Sequence, residues 1–319
     1  MITFRSFRNS DPPSIAQLWT NAEPVQGLMQ PMSVAVLERH VFSRPYFDRH
    51  GMILAFEHER LVGFVHAGFG PNQNRSDLDM SVGVVCLVMT EQRDDHMEIR
   101  RALVERAEAY LQERGAKEIR AGCICTSSPF YLGLYGGSDM AGILESDKHN
   151  TALFEQMNYT AVRRTLLLSR SVANYRAPID RRQLMVKRSY IVDVDFDVRS
   201  RSWWEACQFG QTDRIRFELR KRTGGPSLGE VTFWDMGMLD PARGGALALG
   251  LIDLEIVADV HRSGLGTFLV TDAFRQLQST GVGQVLAQTA EGDEVANAFF
   301  AKLGFQTVDR GASLSKQPA

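Results

Sequence analysis

Cysteine is scarce: four residues in 319, at Cys86, Cys123, Cys125 and Cys207. Their spacing makes neither a disulfide framework nor a zinc ribbon. Cys123 and Cys125 stand two apart in an apolar run, so they are expected on one face of a strand as buried, reduced thiols. The seven histidines are scattered, without H-E-x-x-H or paired-ligand spacing, and no metal site is expected. No run of 18 apolar residues exists, so no helix is expected to span a membrane. The N-terminal M-I-T-F-R-S-F-R-N lacks the apolar core of a signal peptide, which makes a reducing cytoplasm the expected location. Excess charge is missing as well. Lys and Arg total 36 against 38 Asp and Glu, for a net charge of -2 and a pI near 6.4. Nucleic acid needs clustered excess cation, so it is not an expected partner.

What is present is a soluble globular composition, 44% hydrophobic and 23% charged, in a chain long enough for two domains. The chain also contains itself twice. Residues 102–119 lie over residues 268–285: Leu103, Val104, Ala107, Leu111, Gln112 and Gly115 meet Leu269, Val270, Ala273, Leu277, Gln278 and Gly281. In each copy apolar residues recur at three and four positions, a glycine ends the helix, and a strand follows. A second match, 152–162 over 298–308, comes in the same order but in another register. The first half therefore carries an insertion near 126–146, rich in glycine and aromatics.

The spacing predicts strands at 2–8, 52–57, 61–67, 82–89, 118–124 and 161–168, with helices at 97–114 and 151–157. In the second half it predicts strands at 184–194, 214–221, 228–234, 247–257, 284–290 and near 306, with helices at 265–279 and 294–303. The polar stretch 171–180, broken by Pro178, reads as a linker. Strand meanders followed by helix–strand–helix–strand imply an α+β fold with a mixed, mostly antiparallel sheet flanked by helices.

The sharpest motif is V-H-R-S-G-L-G-T-F-L, residues 260–269. It follows the apolar strand L-I-D-L-E-I-V and opens an amphipathic helix. The first turn of a helix has N–H groups without internal partners and lies at the positive end of the dipole. Gly264 and Gly266 let an anion approach that backbone, and Thr267 can add a hydroxyl. It is not a Rossmann turn, because Leu269 stands where the third glycine belongs, and it has no Walker G-K-[ST]. About thirty residues later comes E-V-A-N-A-F-F-A-K-L-G-F, residues 294–305.

Together these two segments resemble the GNAT (Gcn5-related N-acetyltransferase) family. Its pyrophosphate turn reads [QR]-x-x-G-x-[GA], and its later helix reads roughly N-x-x-A-x-x-[FY]-Y-x-K-x-G-[FY]. The matching residues are Gly264, Gly266, Ala296, Phe299, Lys302, Gly304 and Phe305. The resemblance covers about the last 75 residues well and the rest of that half in layout. It implies two tandem GNAT-like domains: a degenerate copy at 1–170, a linker at 171–180, and an acetyltransferase domain at 181–319. It further implies acetyl-CoA as cosubstrate and a small-molecule or peptide amine as acceptor. The diphosphate would sit on the amides of Gly264, Leu265, Gly266 and Thr267, beside His261, Arg262 and Ser263. The pantetheine arm would lie between splayed strands near Ile256, Val257 and Gln288. Three positions depart from the pattern. His261 replaces the Gln or Arg, Asp293 replaces an Asn, and Phe300 stands where a Tyr often protonates the leaving thiolate. A thiol of pKa about 8.5 leaves without much help near neutral pH.

Acyl transfer to an amine requires the neutral amine, and a carboxylate is the usual remedy. Asp253 and Glu255 are the candidates for base, two apart and so on one face, that of Val257. By family position Asp253 is favoured, with an N–H near Val257 polarising the thioester carbonyl. Phe300 keeps a second reading in play, a non-catalytic acyl-CoA binding or regulatory protein. A third is an interaction scaffold.

The first half lacks the glycines. Its tract R-D-D-H-M-E-I-R places Asp95 opposite His261, Glu98 opposite Gly264 and Arg100 opposite Gly266. Charges 4 Å apart interact by about 1 kcal/mol in water and about 4 kcal/mol at a partly buried site. The helix dipole returns only about 0.3–1 kcal/mol. Repulsion from Asp94, Asp95 and Glu98 should win, so no diphosphate is expected there. The insertion, with Phe130, Tyr131, Tyr135, Gly136 and Gly137, reads either as the lining of an acceptor pocket or as a packed surface loop. Trp203 and Trp204 are adjacent, so one is expected to pack inward and one to be partly exposed.

Overall fold

The computed structural model describes residues 1–122, 128–176, 181–237 and 247–316. Cys123 and Cys125 lie outside the described residues; Cys86 is buried and Cys207 half-buried, both as free thiols. The first half runs β1 (Ile2–Ser6), α1 (Pro12–Thr20), α2 (Val34–Leu37), β2 (Met52–Glu57), β3 (Arg60–Pro71), β4 (Leu78–Thr90), α3 (His96–Glu113), β5 (Glu118–Ala121), β6 (Ile143–Leu144), α4 (Lys148–Gln156) and β7 (Thr160–Ser171). The second runs α5 (Arg181–Ser189), β8 (Tyr190–Asp195), α6 (Trp203–Phe209), β9 (Arg214–Lys221), β10 (Gly229–Asp235), β11 (Leu247–Ile256), α7 (Leu265–Ser279), β12 (Val282–Ala290), α8 (Glu294–Lys302) and β13 (Gln306–Lys316).

The α+β mixed sheet expected from the pattern is present, but one sheet serves both halves. Its order is β1-β2-β3-β4-β5-β13-β7-β12-β11-β10-β9-β8. Only β4–β5 and β11–β12 pair in parallel among the described strands. The centre is an exchange. β7, from the first half, pairs with β12 of the second. β13, from the second half, pairs with β5 of the first, as Leu314 with Ala121 and Lys316 with Ile119. The exchanged strands then pair with each other.

Helices α3 and α7 earn their places by spacing. Ile99, Leu103, Val104, Ala107 and Leu111 are buried on one face of α3. Leu265, Phe268, Leu269, Ala273 and Leu277 are buried on α7. Each helix anchors its own core against one face of the sheet. A third core joins the halves on the other face: Trp19 and Phe64 belong to the same cluster as Trp234, Ala248 and Leu286. Phe130, Tyr131 and Tyr135 of the insertion lie in it, each under 10% exposed, so the insertion is core rather than surface loop.

One expected strand is wrong in part. Residues 184–194 split into helix α5 and strand β8. Among the described side chains of α5 only Val186 is buried, while Leu184 and Met185 are more than half exposed. Apolar residues that face solvent mimicked a strand. The tryptophans divide as adjacent helical residues must: Trp204 is 2% exposed and Trp203 38%.

Candidate functional site

The site begins where pairing stops. β11 and β12 are hydrogen-bonded from Leu247 to Gly250 and from Val282 to Leu286. Beyond Gly250 and Leu286 they part, β11 following β10 to Ile256 and β12 following β7 to Ala290. The gap opens into a cleft of about 780 Å³ that reaches the start of α7. Of the expected cofactor residues, Ile256, His261, Arg262, Gly264, Gly266, Thr267, Asp293 and Phe300 line it.

The phosphate turn has the geometry the glycines allow. Gly264 takes φ +89 at the N-cap of α7, a left-handed conformation that costs glycine nothing, and no side chain caps the helix. A β-carbon on Gly266 would touch Ile256 and Phe299, each at 3.5 Å, so a longer side chain there would enter the cleft. His261 donates from Nε2 to the Ile256 carbonyl at 2.7 Å, and Ser263 donates to the Val260 carbonyl. Leu265 is 2% exposed and lines no part of the cleft; its contribution is a backbone amide at the helix start. Asp293 caps α8, accepting from the Ala296 amide at 2.9 Å. Phe300, 5% exposed, packs against Phe299 and Phe305 and offers no proton.

The structure makes two expectations more specific. The Val257 amide donates to the Leu228 carbonyl at 2.9 Å, so it is not free to polarise a thioester. Because strand amides alternate sides, that bond turns the N–H groups of Leu254 and Ile256 toward the gap instead. Gln288 does line the cleft, but its side-chain amide donates to the carbonyls of Gly136 and Asp139, both at 2.7 Å. It fastens the insertion of the first half to the mouth of the gap, where Asp139 joins the lining.

Asp253 and Glu255 leave the sheet on the face opposite Leu254 and Ile256, and neither lines the cleft. The register shift between Thr232 and Phe233 places a bulge in the β10–β11 pairing at this point. Asp253 stays open to solvent, yet its carboxyl is raised above the ordinary value. Crowding by protein is the main cause, followed by Glu205; Glu255 and Glu230 add to it, and Arg201 opposes. The chain neighbours Ile252 and Leu254 line the cleft, so Asp253 stands behind the gap that the cleft enters.

Sequence reasoning missed a basic annex. A second hollow of about 290 Å³ shares Thr267 and Lys302 with the cleft and is lined by Arg170 and Arg176. Both arginines come from β7 and the segment after it, which only the strand exchange brings to α7 and α8. No pattern local to the second half points to them. No cluster of His, Cys, Asp or Glu able to hold a metal occurs among the described residues. None of the described helices is long and apolar enough to cross a membrane.

No protein-family model and no curated protein sequence matches the chain. Solved structures do. A tandem GNAT protein from the clavulanic acid biosynthesis pathway matches with a TM-score of 0.68 at 12% identity, covering 100% of both chains. A GCN5-related glucosamine N-acetyltransferase region of a fungal multi-domain β-N-acetylglucosaminidase matches at 0.70 and 15% identity, covering 99% of this chain and 38% of that one. A GCN5-related N-acetyltransferase from Sphaerobacter thermophilus matches at 0.65 and 14%, covering 100% and 96%. Identities this low speak of architecture, and the architecture, from first strand to last, is the GNAT fold.

Proposed function

We propose that the chain is an N-acetyltransferase that uses acetyl-CoA in its second half, residues 181–319, and transfers the acetyl group directly to an amine. The observation that carries this reading is the splay of β11 from β12 beyond Gly250 and Leu286, opening onto an uncapped helix start with Gly264 and Gly266. The residues present suit the cosubstrate. The first amides of α7 would take the diphosphate, helped by Arg262 and Thr267. Arg176 and Lys302 would place positive charge for a further phosphate. Leu251, Leu254, Ile256 and Phe299 would cover an apolar arm.

Acetyl-CoA supplies an acyl group on a thioester. Asp253 would accept the proton of the acceptor ammonium, directly or through water, and so provide the neutral amine for attack. The N–H groups of Leu254 and Ile256 would bind the carbonyl oxygen as it gains charge. Phe300 donates nothing, so the thiolate leaves unassisted, as a group with a pKa near 8.5 can.

Phe300 also favours the second reading, an acyl-CoA binding protein without transfer. Thermal-shift titration with CoA and acetyl-CoA, beside Gly266→Glu, tests binding. At a hundred times Kd, a ligand specific to the folded state stabilises by about 2.7 kcal/mol. Wild type should shift and the variant should not. Release of free thiol from acetyl-CoA over a panel of amines then separates the readings. Equal shifts in both proteins, or none in either, would sink the cofactor assignment.

A further inference from the structure

The first half keeps a cleft of its own. β4 and β5 pair only from Val82 to Val85, and β4 then runs on to Thr90 paired with β3 on its other edge. The hollow beside it measures about 590 Å³. Its floor holds Arg100, one turn into α3 and 8% exposed. This is the residue aligned with Gly266.

Arg100 has hydrogen-bond partners but no carboxylate in direct contact. Nε donates to Thr90 Oγ1 at 2.9 Å, and Nη1 donates to Asn150 Oδ1 at 2.5 Å and to the Val88 carbonyl at 3.4 Å. All three acceptors are neutral. The nearby Asp147 is turned away, accepting from Asn150 Nδ2 at 2.7 Å and from Tyr135 Oη at 3.0 Å. Among the described residues no carboxylate forms an ion pair with Arg100, and Nη2 makes no hydrogen bond. Burial lowers its pKa from the usual arginine value, and the more distant Asp147 and Glu23 offset this only in part. A buried guanidinium without an anion in contact is costly and is ordinarily paired.

The rim is mixed in charge and offers no diphosphate turn. Glu91 and Asp94 line the mouth beside Arg93 and Lys148, Asp95 pairs with Arg93, and no glycine opens the start of α3. On the other side, His149 bridges His96, at 3.2 Å, and Glu23, at 2.9 Å. A planar anion of single charge satisfies the floor without offending the rim, and guanidinium matches carboxylate geometry. We propose that the first-half cleft is a separate binding site for a small carboxylate, held by Arg100 in the space between β4, α3 and α4.

The test uses the full chain and needs no knowledge of the acyl-transfer reaction. Acetate, glycolate, succinate and L-glutamate are titrated at fixed ionic strength against chloride and inorganic phosphate. A carboxylate at ten or more times its Kd should raise Tm by roughly 2–4 °C over chloride. Arg100→Lys, which keeps charge but loses the fork, should abolish that rise. Saturation-transfer NMR on wild type guards against a variant that fails to fold. The carboxylate signal should persist in excess CoA and in Gly266→Glu. No shift or transfer with any of the four would overturn the proposal. So would a larger response to phosphate, or loss of the signal on adding CoA. Failure of CoA to bind, with carboxylate binding intact, would count against the acetyl-CoA reading alone.

Discussion

A β-carbon on Gly304 would collide with Nη1 of Arg170. Gly304 sits at φ +80, just past the end of α8, and Arg170 reaches across from β7 to donate to the neighbouring Leu303 carbonyl. The arginine also lies over the ring of Tyr175, 4.9 Å from its centroid. The α8 terminus thus fixes the exchanged strand that carries the basic annex.

Gly304→Ala should therefore cost more than left-handed strain alone. That strain is on the order of 1 kcal/mol. Displacing Arg170 adds a lost charge-assisted hydrogen bond of about 1.5–3 kcal/mol. In an Arg170→Ala background the second part is already gone, so the cost of Gly304→Ala should fall toward the strain. Urea unfolding of the four proteins checks it. Additive costs would show that the two residues do not act through each other.

The strand exchange makes a second prediction. Deleting residues 306–319 removes β13, which pairs with β5, β6 and β7. It leaves edges in the first half as well as the second. Total stability of a domain is about 5–15 kcal/mol, less than the loss of a central strand removes. The truncated chain should show no cooperative thermal transition in either half. A first half that still melts near the wild-type temperature would mean the halves are independent.

A third prediction concerns acid. His66 is fully buried, and burial lowers its pKa to about 3; His40 is lowered to about 4 by burial and by Arg44 and Arg39. Both stay neutral in the folded chain while unfolded histidine titrates near 6.5. Between those values the unfolded chain binds more protons, so stability is full above about 6.5 and falls as pH drops through the window. Each histidine contributes up to about 1.4 kcal/mol per pH unit. His40→Gln should flatten the dependence of unfolding free energy on pH between about 4 and 6.5. An unchanged slope would show that His40 titrates alike in both states.

The periodic elements were legible because period and burial agree: 265–279 and 214–221 appear with the expected bounds, as Leu265–Ser279 and Arg214–Lys221. So was the turn, since Gly264 and Gly266 have few other reasons to flank one residue at a helix start. The exchange of β7 and β13 was not legible. Sheet order is decided by which edges meet, and Ala161 to Leu168 reads alike whether it pairs with β5 or β12. Arg170, Arg176 and Asp139 were lost for the same reason, since each reaches the site from the other half. Which amide near Val257 is free was not legible, because alternation fixes which residues share a side but not which side faces the gap. Leu228 settles that.

The last prediction separates Asp253 from Glu255. If Asp253 is the base, Asp253→Asn should lower kcat for acetyl transfer by about 100-fold or more. CoA binding should be unchanged, because Asp253 lies outside the cleft lining. The wild-type profile of kcat/KM should fall on the acid side as the Asp253 carboxyl is protonated. That limb should sit above an ordinary aspartate value, since crowding and the neighbouring carboxylates raise it. In Asp253→Asn the limb should vanish along with the rate, while Glu255→Gln, which removes one of the neighbours raising Asp253, should move it lower and keep most of the rate. A 100-fold loss from Glu255→Gln with a mild effect from Asp253→Asn would exchange their roles. If both variants retain full rate, the amine is deprotonated elsewhere, and the raised carboxyl reflects only its crowded surroundings.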